Sequence, residues 1–449
     1  MDLAEAAEYA VKKAINLGAS QADCFACRRK RMFLRAVDSK EEKERDLEEK
    51  TVLGMNLRII VDKSIAYSYT TELNREKIDR VVEEGLRLTR SLERNERFKS
   101  LPEPSKPSKV SGIFDDSFEK VDLEGYLNDL RAFNSELSIQ EGDVEAVDTG
   151  FILEVENKAI YNSLGVNLKF KRSLGTCYTI VNAVRNGLPA SASNYIQSTR
   201  LKELKLDDLK PEIVKYLDLG LRLVKAESGV KNVVFDPKAL SELMAYTFTA
   251  AIDSYNVHEE KSYLSGRKGE IVASNSLTII DDGLMNGGLL SEPVDAEGTP
   301  TKRTVVIEGG VLKSYLYDSY TANIDGVKST GNAFRDIRGR IEVKPRNEVI
   351  LGDSIGFDEM LAEIEDGILI REIMGAHSAN IGSGAFSVVS PIGYVIEKGE
   401  LKGSLRNIVL SGVFDELLKN YWMQGGPVKK AGFLVAPMIV FKHVNVIIS

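Results

Sequence analysis

The residues that could do chemistry are few and scattered. Histidine occurs three times, at His258, His377 and His443, and cysteine at Cys24, Cys27 and Cys177. His258-Glu259-Glu260 begins like a zinc-hydrolase helix, where two histidines hold the metal and a glutamate activates water. No second histidine follows three or four residues on, so the pair reads as a polar stretch after a helix. Cys24-x-x-Cys27 has metal-site spacing but lies in a strand-like run, ADCFACRRKRMFLRAV, where positions three apart point to opposite faces. With no second Cys/His pair its reading is structural. His377 sits in GAHSANIGSGAFS, whose glycines at 375, 382 and 384 allow close backbone approach to a ligand. His443 falls in the final strand and reads as structural. No G-x-G-x-x-G opens a helix and no nucleophile elbow is present, so nucleotide binding and serine hydrolysis have no motif to rest on.

The densest signal spans 281–322, DDGLMNGGLLSEPVDAEGTPTKRTVVIEGGVLKSYLYDSYTA. Asp282-Gly283 marks a turn, and Gly309-Gly310 separates two apolar runs at hairpin spacing. Between them EPVDAEGTPTKR carries Gly298 and Pro300, too many breakers for a helix or a central strand. The expectation is a long surface loop feeding a β-hairpin, the kind of segment a rigid scaffold presents for binding.

The elements that must position these residues follow from periodicity. Residues 3–15 carry a helical stripe that Gly18 ends. Strands are expected at 22–37, 51–61 and 65–71, with the charge run DSKEEKERDLEEK as a solvated loop between the first two. A helix at 75–94 should bury Ile78, Val81, Val82, Leu86 and either Leu88 or Leu92. A proline- and serine-rich linker covers 98–112. A helix at 123–137 follows, then strands at 143–155, 158–161 and 166–184, and a helix at 208–226 with Pro211 in its first turn. Asp236-Pro237 opens one long helix whose stripe is Leu240, Leu243, Met244, Phe248, Ala251, Ile252 and Tyr255. A short helix at 356–364 and strands at 368–374, 386–397 and 435–448 complete the chain. The fold class is α+β. An N-terminal domain, 1–228, is a sandwich-like packing of antiparallel sheet and helices; a C-terminal domain, 229–449, is mostly β with a long helix.

Composition narrows the function classes. The 449 residues carry a net charge of −8, which gives no electrostatic basis for holding DNA. No apolar run reaches membrane-spanning length and no signal-peptide h-region appears, so neither membrane insertion nor secretion is expected. Few cysteines suit a reducing cytoplasm.

DDG, then DAEGTP, then VVIEGGVLKSYLYDSYTA resemble the C-terminal half of the TldD/TldE (PmbA) family, once called modulators of DNA gyrase. Asp282, Gly283, Asp295, Gly298, Thr299 and Pro300 carry this signature. In the catalytic TldD branch the resemblance implies zinc held by an HExxxH helix and a C-terminal cysteine. Ser265-Gly266-Arg267-Lys268-Gly269-Glu270 matches the S-G-x-x-G-E segment that follows that helix. The two histidine positions then fall at Ala245 and Ala250, the glutamate at Tyr246, and the cysteine at or near Met423. Alanine has no donor atom, a thioether is a poor zinc ligand, and tyrosine is no base at neutral pH.

The resemblance therefore implies the TldE (PmbA) branch, with no catalytic residues and no cofactor of its own. Zinc is expected only in a TldD-like catalytic partner, met as a heterodimer, with a homodimer forming in isolation. An unfolded peptide would be guided to the partner's active site, with His377, Ser378, Asn380, Gly382 and Ser383 as groove candidates. The setting is cytoplasmic, with no membrane and no direct nucleic-acid partner. The alternatives are an independent hydrolase using His258, His377, Asp281 or Asp282, and a homodimeric peptide-binding protein without a protease partner. Residues five apart on a regular helix diverge by roughly 140°. A zinc site at 245–250 therefore needs a local distortion, which the apolar stripe gives no reason to expect.

Overall fold

The computed structural model describes residues 1–140 and 143–448. Its first sheet has six antiparallel strands: β1 (Gln21–Ser39), β2 (Lys43–Val61), β3 (Ser64–Thr70), β4 (Val144–Asn162), β5 (Asn167–Arg185) and β6 (Leu188–Ser198). Their spatial order is β3-β2-β1-β4-β5-β6. Helix α1 (Leu3–Asn16) is set by a capping box between Asp2 and Glu5 and buries an alanine-rich stripe. Together with α2 (Arg75–Ser91) it covers Ala22, Cys24 and Ala26 of β1. Further along the same face, α3 (Leu123–Gln140) covers Met32, Leu34 and Ala36. Cys27 packs in a separate cluster from Cys24, as the strand alternation requires, and all three cysteines are free and buried.

The second sheet is built on β7 (Gly229–Phe235), β8 (Thr278–Asp282), β9 (Arg303–Glu308), β10 (Val311–Leu312), β13 (Glu348–Leu351), β14 (Ser354–Ile355), β15 (Asp366–Ile370), β16 (Ala385–Glu397), β17 (Glu400–Val413), β18 (Tyr421–Ala431) and β19 (Leu434–Ile448). Short strands β11 (Ala333–Phe334) and β12 (Glu342–Val343) pair separately. Pairing runs β7–β15–β16–β17–β19 and returns from β19 to β7, which closes five strands into a ring. The remaining helices are α4 (Lys210–Gly220), α5 (Pro237–Tyr246), α6 (Phe248–Ala251), α7 (Ser254–His258), α8 (Ser319–Asp325), α9 (Phe357–Ala362) and α10 (Phe414–Lys419). No helix among the described residues is long and apolar enough to cross a membrane. One hydrophobic cluster draws on both sheets, packing Leu130, Phe133 and Phe151 with Leu369, Tyr394 and Met438.

Gly309 and Gly310 form the expected two-residue turn, both at positive φ, with Val311 opposite Glu308. Several expectations are corrected. The charge run is strand, not loop: Lys43–Lys50 pairs with Arg31–Asp38 and stays exposed along its length. Cross-strand pairs such as Arg35 with Asp46 replace the apolar alternation that would have announced it. Leu88 and Leu92 are both exposed, at 46% and 43%. The strands expected at 143–155 and 158–161 are one, β4. The helix expected to reach residue 226 stops at Gly220, where Arg222 and Val224 bond to Ser404 instead. The long helix after Asp236 is three short ones.

Candidate functional site

Asp236 caps α5 by accepting the Lys238 N–H, and Pro237 takes the first helical position. Leu240, Leu243 and Met244 hold its inner face in the core. Regular helix ends at Thr247, where φ is −118° and ψ −87°. The Thr247 side chain is wholly buried, and its hydroxyl donates to the Leu243 carbonyl at 2.6 Å. A β-branched residue bonding back to the carbonyl four residues earlier bends a helix. Phe248 then restarts the chain as α6, stacked on Phe414. The expectation of a straight helix at this point was wrong: the distortion is present.

Ala245 and Tyr246 end α5, and Ala250 lies in α6 beyond the break. Tyr246 is 46% exposed and meets the His377 ring edge-on at 6.4 Å. Met423 is not brought to this helix. It pairs with Val440 and packs with the cluster on the far side of the sheet. Its neighbour Gln424 pairs with Ile439, which belongs to the cluster that holds α5 and α6, so Gln424 takes the helix-side position. Its amide donates to the Gly352 carbonyl. Ala245 and Ala250 offer no donor atom. Among the described residues no three His, Cys, Asp or Glu side chains gather as a metal-holding group. The residues present do not fit zinc.

Beneath α6 lies a buried polar row that periodicity did not reveal. The Thr249 hydroxyl donates to Glu348 Oε2 at 3.0 Å, and Glu348 sits directly opposite Asp281 across β13 and β8. Asp281 accepts the Arg346 backbone N–H and the Asn332 amide, each at 2.6 Å. Burial pushes Asp281 up to about 6. Burial, and then the Asp281 charge, push Glu348 well above the ordinary carboxylate range. Glu348 is thereby biased toward its protonated form, which cannot activate water. The register of Glu348 against Asp281 depends on a strand pairing 67 positions apart, and local pattern carries no signal of it.

The signature loop is a second buried polar site, not the surface segment expected. Asp295 accepts three backbone N–H groups, from Glu297 and Thr299 at 2.9 Å and from Ala333 at 3.2 Å. Gly298 turns at φ +85°, and a Cβ there would meet Val166 at 2.6 Å, so the loop presses directly on the first sheet. Thr299 and Pro300 continue it, with the Thr299 carbonyl accepting from Asp295 N–H and Pro300 bridged to Val294. Asp282 and Gly283 turn the chain at its start, Asp282 accepting the Leu284 N–H. Cations from both halves converge on it. Arg58 pairs with Asp23 and, at 2.9 Å, with Glu297; Arg335 pairs with Asp23 at 2.9 Å. Lys158, Arg172 and Arg346 converge on Glu292 at 2.6, 3.1 and 2.8 Å. Burial works against the Glu292 charge, yet Lys158, Arg346 and Arg172 hold it down to about 2.

The remaining candidates stay apart. His377 and Ser378 are exposed on a short turn after Gly375, and Asn380 accepts the N–H groups of Gly382 and Ser383, turning that loop onto itself. His258 ends α7, its Nε2 at 2.7 Å from Asp325. His443 is exposed at φ +58°, at an irregularity of β19.

Residues 228–448 match the family model described as the PmbA/TldA metallopeptidase C-terminal domain. The C-terminal half of the chain is thus a domain of the TldD/PmbA family. A metalloprotease of Archaeoglobus fulgidus is 34% identical over 217 residues, 48% of this chain and 50% of that protein, so this similarity spans about half of each. An uncharacterized protein of Methanocaldococcus jannaschii is 27% identical over 391 residues, 87% of this chain and 88% of that one. The crystal structure of TldE from Thermococcus kodakarensis superposes with a TM-score of 0.89 over 98% of this chain and 99% of that one, at 23% identity, which establishes a shared fold. Within the matched region the helix around Thr247 is broken, and Ala245 and Ala250 on either side of the break carry no donor atom.

Proposed function

We propose that this chain is a TldE/PmbA-type subunit. It pairs with a TldD-like zinc protease in the cytoplasm, has no peptidase activity alone, and helps guide unfolded peptide to the partner's active site. The observation that supports this reading most is the break at Thr247. Two positions five apart diverge on a straight helix, and this chain keeps a distortion between residues 245 and 250 while carrying alanine at both. Glu348 lies below, biased by burial and by Asp281 toward its protonated form, which also argues against hydrolysis by the isolated chain.

Co-expression with a TldD-like chain tests it. The expected result is a heterodimer by light scattering, a homodimer when the partner is left out, and proteolysis only in the mixed complex. One zinc per chain surviving dialysis, with chelator-sensitive cleavage by this protein alone, would overturn the reading.

A further inference from the structure

A cleft of about 930 Å³ lies where the two halves meet, away from Thr247 and from the His377 loop. One wall is β3, the last strand of the first sheet, which is hydrogen-bonded to β2 only. The opposite wall comes from the C-terminal half, with Tyr255, Tyr320 and the segment 338–341. Tyr69, Leu88 and Leu92 are 49%, 46% and 43% exposed and all open into this one space. Tyr255 and Tyr320 stack at 6.0 Å, and their hydroxyls are anchored to Asp318 and Asn95, so the aromatic floor is preorganised. Arg338 lies 5.8 Å above the Tyr69 ring, and Arg340 is exposed beside it. Among the described residues neither guanidinium has a carboxylate partner; Glu93 is the one acidic side chain in the lining.

We propose that this cleft receives an extended acidic peptide that adds to the first sheet along β3. A free strand edge offers main-chain hydrogen bonds to an extended chain of any sequence, and the flanking side chains select among sequences. The side chains of such a peptide alternate with a period of two. One set, bulky and apolar, covers Leu88 and Leu92 on the α2 side of β3, opposite Tyr69. The other set, carboxylates, meets Arg338 and Arg340, whose planar forks suit carboxylate bidentately. The inference rests on the partner-subunit reading for its biological setting, because it says which unfolded segments the subunit would hold. Binding itself is a property of this chain alone.

The test uses the purified chain without any protease, so failure of the heterodimer and failure of this site give different results. A short fluorescein-labelled peptide alternating glutamate with phenylalanine is titrated by anisotropy, beside its lysine-phenylalanine counterpart and a glycine-serine control. The acidic peptide is expected to bind, and Arg338→Ala with Arg340→Ala to weaken it about tenfold while the melting temperature holds. Tyr69→Ala should weaken it independently of salt, the arginine pair in a salt-dependent way. Hydrogen exchange of residues 65–69 should slow on binding. Equal affinity for the basic peptide, an unchanged affinity in the double variant, or unaltered exchange along β3 would each overturn the proposal. So would light scattering showing that a second copy of the chain closes the cleft and excludes peptide.

Discussion

Glu292 and Glu348 are both buried carboxylates of the C-terminal half, at 3% and 0% exposure, and their surroundings differ completely. Glu292 lies on the side that faces the first sheet, where Lys158 and Arg172 rise from β4 and β5 to meet it. Glu348 faces the core of its own half, where its neighbours are Thr249 and another acid, Asp281. The first keeps its charge and ties two parts of the chain together. The second is pushed toward its neutral form. Of these two acids, the one that the cations of the first sheet reach is held as an anion, and the one beside another acid is pushed toward its neutral form.

The strongest way to break this contrast is to remove a cation from the junction. Arg58→Met keeps much of the side-chain volume but strips Glu297 and Asp23 of a shared partner. Deleting one member of a buried ionic network costs about 3–5 kcal/mol. Urea unfolding should record a loss of that size; a loss below about 1 kcal/mol would mean the junction tolerates uncompensated charge.

Next in size is the titration of the buried acids. Asp281 at about 6 and Asp253 at about 7, both raised by burial, bind protons more tightly folded than unfolded. Their contribution is complete below about pH 4 and is lost as pH rises through 6 and 7. Glu292 at about 2, and Asp23 and Glu156 held low by their cations, contribute above about pH 4 and lose that contribution as pH falls. Stability should therefore peak near pH 4 and decline on both sides. Glu348→Gln removes the group that is pushed toward its neutral form. It should be close to neutral at pH 5 and stabilising by about 1 kcal/mol at pH 8, read as a widening gap in melting temperature. A constant gap across that range would show that Glu348 does not titrate.

The smallest effect is the exposed control. Lys40 and Glu145 pair at 2.7 Å with 61% and 40% of their side chains exposed. Lys40→Ala should change stability by no more than about 0.5 kcal/mol, and less at high salt. A larger cost would mean that distance alone, without burial, decides what an ion pair contributes here.

What could be read from residue order was whatever local periodicity or a turn dictates. The stripe of α1, the cap at Asp236 and the Gly309-Gly310 turn are local, and they stand where expected. Asn186-Gly187 is an equally local hairpin signal, both residues at positive φ, and it turns β5 into β6, a strand missing from the expectations above. The charge run looked like loop because strand pattern is read from apolar alternation, and an edge strand held by cross-strand ion pairs has none. The polar loop at 291–301 looked exposed because its cations are distant in sequence, Arg58, Lys158 and Arg172 on β2, β4 and β5 and Arg346 before β13. The break at Thr247 had a signal, a threonine inside an apolar stripe, but many helices absorb one without bending. The donorless positions Ala245, Tyr246 and Ala250 could be counted out from a motif. The side of the sheet on which Met423 lies could not, because a bulge between Tyr421 and Met423 shifts the alternation.

The ring of strands closed by β19 also sets an order of events as the protein forms. β7 is apolar on both faces at Val233, Val234 and Phe235, and it finds its neighbours only when β15 and β19 arrive, the latter about two hundred residues later. Until then neither edge is paired, and the entropy of closing so long a loop opposes the pairing that would protect it. The antiparallel hairpin of β1 and β2, by contrast, needs only a short turn. Refolding should accordingly be biphasic, with an early first sheet and a slow final closure. During that interval β7 is the segment most exposed to misassociation, and holding it is where a chaperone would matter.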